Sequence, residues 1–172
     1  MKKYALIITG LLACTPPALA QSAPMAESPA QVDYPGFTRL AAEAEQHRQQ
    51  RLVDLNTFLK MAAEPGTVVL DSRSAAAFAR KHIQGAVHLN FSDFTAAKLA
   101  AVIPDKNTRI LIYCNNNLED DSQNFPAKSM TLALNIPTFI NLYGYGYTNI
   151  YELASLVSVS DPRLVFAGSA VP

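Results

Sequence analysis

The chain has 172 residues, nearly half of them hydrophobic, and its 14 basic and 14 acidic side chains cancel. That length suits one ordinary domain with a tail. No Lys/Arg block occurs, which argues against nucleic acid as a partner, since that would want a basic face. No run of twenty apolar residues follows the N-terminus, so the processed chain is expected to carry no membrane span.

Taken in order, the chain begins with a targeting segment. Met1-Lys2-Lys3 is a basic start, Tyr4 to Cys14 is mainly apolar, and Ala18-Leu19-Ala20 is a small-x-small cleavage site after Thr15-Pro16-Pro17. The expected division is a signal peptide over 1–20, a flexible Pro/Ala/Ser linker over 21–32 and one domain over 33–172. Export to a bacterial periplasm follows. A lipoprotein signal at Cys14 competes less well, because Leu12 is bulky where such signals carry a smaller residue. Cleavage after Ala20 leaves 12 basic against 14 acidic residues and makes Cys114 the sole thiol.

Phe37 to Gln50 suits a helix, with Phe37, Leu40, Ala41 and Ala44 on one face. Arg51-Leu52-Val53 is a short strand, and Asp54 caps a helix with Leu55, Phe58, Leu59 and Ala62 at helical spacing. Thr67 to Leu70 reads as a buried strand, Ser74 as the cap of a helix over Ala75–Ala79, and Ala86 to Leu89 as a third strand. Ser92 or Asp93 opens a helix that Pro104 stops.

Arg109 to Tyr113 is a strand whose apolar run implies burial on both faces. Cys114 and the turn-forming Asn115, Asn116 and Asn117 follow it. The thiol thus falls at the carboxyl end of a buried strand, the edge where open parallel sheets bind ligands. An unpaired cysteine in an oxidising compartment is either a reactive thiol or an inert buried one; its place before a polar loop favours reactivity. Asn115 to Ala127 reads as a long surface loop with acidic Glu119, Asp120 and Asp121. Lys128 to Asn135 suits a short helix, Thr138 to Tyr143 a fifth strand, and Asn149 the cap of a last helix through Ile150, Leu153, Ala154 and Val157. Strands alternating with helices imply an α/β fold with a parallel sheet of about five strands flanked by helices.

Four segments together resemble the rhodanese-like (sulfurtransferase) domain, over residues 51 to about 157. They are Val68–Arg73 with its Asp-x-Arg, His82-Ile83-Gln84-Gly85-Ala86, Ile110–Cys114, and Phe139–Gly146 as last strand and turn. Tyr151 would replace a Trp that the family often carries. The resemblance implies that Cys114 is the catalytic cysteine, taking a sulfane sulfur as a persulfide and handing it to a thiol. Its partners would be a small sulfur donor and a thiol acceptor, with a partner protein as a further option. Neither cofactor nor metal is implied. Asn115, Asn116 and Asn117 would form the substrate-binding loop, largely through backbone N–H groups. Asp71, Arg73 and His82 are expected to be structural near the site, and His88 to be packing.

The chain departs from that pattern after the cysteine. No Gly, Arg or Lys occurs between Cys114 and Lys128, so Lys128-Ser129 is expected to be the displaced helix start. Carboxylates of the acidic triplet would disfavour thiosulfate if they faced the thiol; solvation away from it is the plainer reading. A phosphatase would need Arg six residues after the cysteine, where Asp120 stands, and a dithiol redox role would need a second cysteine. The remaining alternative is a catalytically inactive module of the same fold that binds a protein. The tyrosines at 143, 145, 147 and 151 fit either a pocket wall or a packed turn.

Overall fold

A computed structural model describes residues 28–171. The expected signal peptide over 1–20 and the first part of the expected linker, 21–27, lie outside the described residues. Asp33 caps α1 (Tyr34–Arg48) by accepting the Gly36 N–H at 2.8 Å. β1 (Leu52–Val53) follows, and Asp54 caps α2 (Leu55–Ala62) through the Thr57 N–H at 2.7 Å. Then come β2 (Thr67–Asp71), α3 (Ala75–Arg80) capped by Ser74, β3 (His82–Ile83) and β4 (Val87–His88). A 3-10 turn at Phe91–Asp93 precedes α4 (Ala96–Val102), which Thr95 caps in place of the expected Ser92 or Asp93.

β5 (Arg109–Tyr113) leads to Cys114, a 3-10 turn at Asn115–Asn117, and β6 (Leu118–Glu119). After a long connection come α5 (Asn135–Gly144), β7 (Ile150–Leu153), β8 (Val157–Ser158) and β9 (Phe166–Ala167). Five strands form one sheet in the order β1-β7-β5-β2-β4, with every pairing parallel. This is the α/β sheet flanked by helices that the sequence implied. Central β5 runs in register with β2 from Thr67↔Arg109 to Asp71↔Tyr113.

Alternation along the strands divides the core between the two faces. Leu70, Ile110, Ile112 and Ile150 pack with α1, α4 and α5, where Ala44, Leu99, Phe139 and Leu142 are buried. Val69, Leu111, Tyr113 and Leu153 pack with Leu55 and Phe58 of α2 and with Phe125 and Leu164. Burying side chains of this size contributes roughly 1.5–3 kcal/mol each, which is why the uninterrupted runs of β2 and β5 lie at the centre.

The last third differs from expectation in three places. Thr138–Tyr143 is the body of helix α5, not a strand, so the resemblance of Phe139–Gly146 to a last strand does not hold. Pro137 lies in the first helical turn, where its missing N–H costs nothing, and Thr138 N–H makes the first bond to Leu134 O at 3.1 Å. The buried residues are Asn135, Thr138, Phe139, Ile140 and Leu142. Two of these five are polar, which hides the helical period. Ile150–Leu153 is strand β7 rather than the start of a helix; its i, i+3, i+4, i+7 apolar spacing is a coincidence of strand and turn. Lys128–Asn135 holds only a 3-10 turn at Met130–Leu132, and Asn135 begins a helix instead of stopping one.

The segment after Cys114 is also less superficial than its composition suggests. Leu118 and Phe125 are buried in the second core, with Asn117 and Asn124 buried beside them.

Candidate functional site

Cys114 sits one residue past β5 in an extended conformation and is 1% exposed. The alternation of β5 places it on the face of Ile110 and Ile112, towards α5. Its N–H donates to Asn117 Oδ1 at 2.9 Å, and its carbonyl accepts the Asn117 N–H at 3.1 Å. Around the sulfur converge the backbone N–H groups of Asn116, Asn135 and Leu134. The cradle therefore has two walls: the turn just after the cysteine, and the first turn of α5, twenty residues later.

Burial pushes the Cys114 thiol above its ordinary value. The three N–H groups pull against that, Glu152 adds to it, and the upward shift prevails.

The three asparagines have separate tasks. Asn115 is half-buried, with its Oδ1 buried and without a hydrogen-bond partner. Asn116 ties the loop: its Nδ2 donates to Lys128 O at 2.7 Å and its Oδ1 accepts the Lys128 N–H at 3.1 Å. Asn117 is a clip between elements. Its Nδ2 donates to Leu153 O at 2.7 Å and Ser155 O at 3.3 Å, while its Oδ1 accepts from Cys114 and from Asn135 Nδ2 at 2.9 Å. What the turn offers the sulfur is the backbone N–H of Asn116.

Four further residues beside the site were not singled out from the sequence. Glu152, near the end of β7, is 6% exposed and accepts from Asn135 Nδ2 at 3.2 Å. Arg48, at the end of α1, forks onto it, with Nε at 2.5 Å from Oε2 and Nη2 at 2.8 Å from Oε1. The only signal was a lone carboxylate inside the apolar Ile150–Leu153 run. Ser72 and Thr138 share a hydroxyl hydrogen bond of 2.7 Å that pins the first turn of α5 to the end of β2.

On the opposite face, Asp71 and Arg73 form a closed structural unit. The Arg73 guanidinium donates to Asp71 at 2.6–3.1 Å, to Lys81 O at 2.7 Å and to Asn124 O at 3.2 Å, and it lies over the Phe125 ring. Tyr113 Oη donates to Asp71 at 2.6 Å and accepts the Ile83 N–H at 3.0 Å. Burial beside that carboxylate pushes the Tyr113 phenol upward, so it stays protonated. His82 stacks on Phe78 at 3.7 Å and donates from Nδ1 to Phe78 O at 2.7 Å. His88 donates from Nε2 to Arg73 O at 2.8 Å.

The acidic triplet is dispersed. Glu119 lies in β6 beside Ser158 of β8. Asp120 takes the left-handed conformation at φ 70°. Asp121 pairs with Lys81 at 3.0 Å and accepts from Asn124, which together with Lys81 holds its carboxyl below the usual range despite partial burial. A groove of about 470 Å³ runs beside Asn116, with Leu118 and Phe125 in its lining and Met130 and Leu156 exposed along it. The tyrosines divide as well: Tyr147 is fully buried and donates to Ile103 O at 2.8 Å, while Tyr151 accepts from Arg51 at 2.7 Å. Among the described residues no three His, Cys, Asp or Glu side chains cluster as metal ligands, and no helix is long and apolar enough to cross a membrane.

Among solved structures the chain is similar to a rhodanese from E. coli with anions, at 20% identity, covering 60% of this chain and 99% of that one, with a TM-score of 0.40. The rhodanese-like domain of an Anabaena sp. protein matches at 20% identity, over 70% of this chain and 80% of that one, with a TM-score of 0.48. No curated protein matches. The profile of the rhodanese-like domain matches residues 54–155, more than half of the chain, and includes β2, β5, Cys114 and β7. The chain belongs to the rhodanese-like domain family.

Proposed function

We propose that this protein is an exported sulfurtransferase of the rhodanese type that carries sulfane sulfur on Cys114. The observation that carries this reading is the convergence of three backbone N–H groups, two of them from the start of α5, on a thiol at the carboxyl end of the central strand. Oriented amides stabilise an anion there without any charged side chain.

In the first step the Cys114 thiolate attacks the outer sulfur of a donor R–S–SH. A sulfur–sulfur bond forms, R–S⁻ leaves, and Cys114 holds a persulfide. An acceptor thiolate then attacks the terminal sulfur, forms its own persulfide and releases Cys114 as thiolate. The burial of Cys114 requires residues 115–134 to yield before a donor reaches it, and the groove beside Asn116 is the side from which an acceptor would approach. With Asp121 bound to Lys81, the acidic triplet does not act as one block of charge.

Export removes residues 1–20 and leaves Cys114 as the only thiol; N-terminal sequencing of the protein recovered from a periplasmic fraction tests this. For sulfur transfer, the chain is incubated with glutathione persulfide and, separately, with thiosulfate, and its peptides are weighed. One added sulfur atom on the Cys114 peptide, discharged by a thiol and absent in Cys114→Ser, is the expected result. If neither donor loads Cys114, the enzymatic reading fails and an inactive module that binds a protein takes its place.

A further inference from the structure

Helix α1 precedes the residues that match the family, yet it is connected to the cysteine by an unbroken chain of hydrogen bonds. Arg48 holds Glu152 by two bonds, Glu152 accepts from Asn135 Nδ2, the same amide donates to Asn117 Oδ1, and that oxygen accepts the Cys114 N–H. Four side chains, from α1, β7, α5 and the post-cysteine turn, thus form one chain that passes through the Asn135 amide. The helix is firmly seated. Ala44 is 1% exposed, and His47 Nε2 hydrogen-bonds Thr148 O at 2.7 Å. Gly144 of α5 lies so close that a Cβ there would stand 2.8 Å from Leu40 Cδ2.

We propose that Arg48 and Glu152 are a positioning pair for Cys114: α1 supplies the positive charge that lets a buried carboxylate hold the cysteine cradle together without suppressing the thiolate. Both halves of the pair are needed. Glu152 orients Asn135, whose backbone N–H faces the sulfur, but its own negative charge opposes a second one on Cys114. The guanidinium fork sets a positive charge directly against the Glu152 carboxylate and offsets that repulsion.

Few other charges intervene. Glu45 of α1 reaches Arg48 at 3.6 Å. α5 carries no charged residue, and neither does β1. Arg51, just before β1, is engaged with Tyr151, and Asp71, Arg73 and Tyr113 bind one another on the far face. Glu119 and Asp120 are exposed on the loop.

The proposal concerns the reactivity of Cys114, so its test needs no sulfur donor and stands apart from the loading experiment. In the full chain, iodoacetamide labelling of the Cys114 peptide is followed by mass spectrometry across pH, for wild type, Glu152→Gln, Arg48→Met, the double variant and Arg48→Lys. Glu152→Gln is expected to shift the labelling curve to lower pH and to speed labelling at a fixed mildly alkaline pH by roughly 3–10-fold. Arg48→Met shifts it the other way by a similar factor but has no effect when combined with Glu152→Gln, and Arg48→Lys recovers most of the wild-type curve.

Three results would overturn the proposal. They are an unmoved curve in Glu152→Gln, an Arg48→Met effect of equal size with and without Glu152→Gln, or an Arg48→Met variant that labels faster because its thiol is merely uncovered. Should Arg48→Met fail to fold, Glu152→Gln alone decides by the first of these.

Discussion

On one face of the sheet Arg73 closes a fork on Asp71; on the other Arg48 closes a fork on Glu152. Both pairs sit near the carboxyl ends of strands, and both hold a carboxylate that is almost wholly buried. They differ in what lies at their far end. Every bond of the Asp71–Arg73 pair returns to scaffold: Tyr113, Lys81 O, Asn124 O. The Arg48–Glu152 pair opens onto Asn135, Asn117 and then Cys114. The first pair locks loops together, and the second is wired to the buried Cys114 thiol. A buried ion pair by itself is weak evidence for function; where its remaining hydrogen bonds lead is the better guide.

The comparison can be broken most forcefully at Arg73. Arg73→Met leaves Asp71 buried with its main cationic partner gone, and about 3–5 kcal/mol of stability should be lost in urea unfolding. Where the variant is still folded, the pH curve for Cys114 labelling should not move. Arg48→Met should be milder, about 1–3 kcal/mol, because the Arg48 side chain is 27% exposed. Here the labelling curve should move, and the opposite pattern in the two variants would dissolve the distinction between the faces. Asp54→Ala removes the cap of α2 and touches neither pair; it should cost about 1 kcal/mol with labelling unchanged.

Two pH effects sharpen the picture further. The folded Cys114 thiol titrates above the unfolded one, so its contribution to stability is complete below the ordinary thiol value of about 8.5. That contribution is lost as pH rises towards the folded value. A wild-type decline in stability across this alkaline window should be smaller in Cys114→Ser. The smallest effect belongs to Asp161, whose carboxyl is held down to about 2 by Arg163. Its contribution is present above the unfolded carboxyl value and fades as pH falls through about 2, so Asp161→Asn should flatten the acid limb slightly.

The strands at the centre of the sheet were legible because burial on both faces writes itself as an unbroken apolar run, as in Val68-Val69-Leu70 and Ile110-Leu111-Ile112. The caps at Asp54 and Ser74 were legible because their partners lie three residues away. Helix α5 was not. Its buried face spends two positions on Asn135 and Thr138, whose partners are Asn117, Glu152 and Ser72, and its β-branched residues mimic a strand. β7 was obscured in turn by Glu152, a charge that makes sense only once Arg48, 104 residues earlier in the chain, is beside it. The position of Cys114 could be read from the sequence. The second wall of its cradle could not, because twenty residues of loop separate the cysteine from α5.

Asn116 meets Lys128 through two hydrogen bonds, one in each direction. Those bonds cinch the intervening segment at its neck, much as a drawstring closes a bag. The entropic cost of closing a longer loop grows only as the logarithm of its length. While Leu118 and Phe125 stay fixed in the core, exposed positions inside the neck such as Ser122, Gln123 and Ala127 can therefore be exchanged or extended at little cost. Because the neck sits between them and the sulfur, such changes would alter what the surface recognises while the Cys114 cradle keeps its shape. The long excursion after the cysteine is then a surface that can change while the surroundings of the Cys114 sulfur stay fixed.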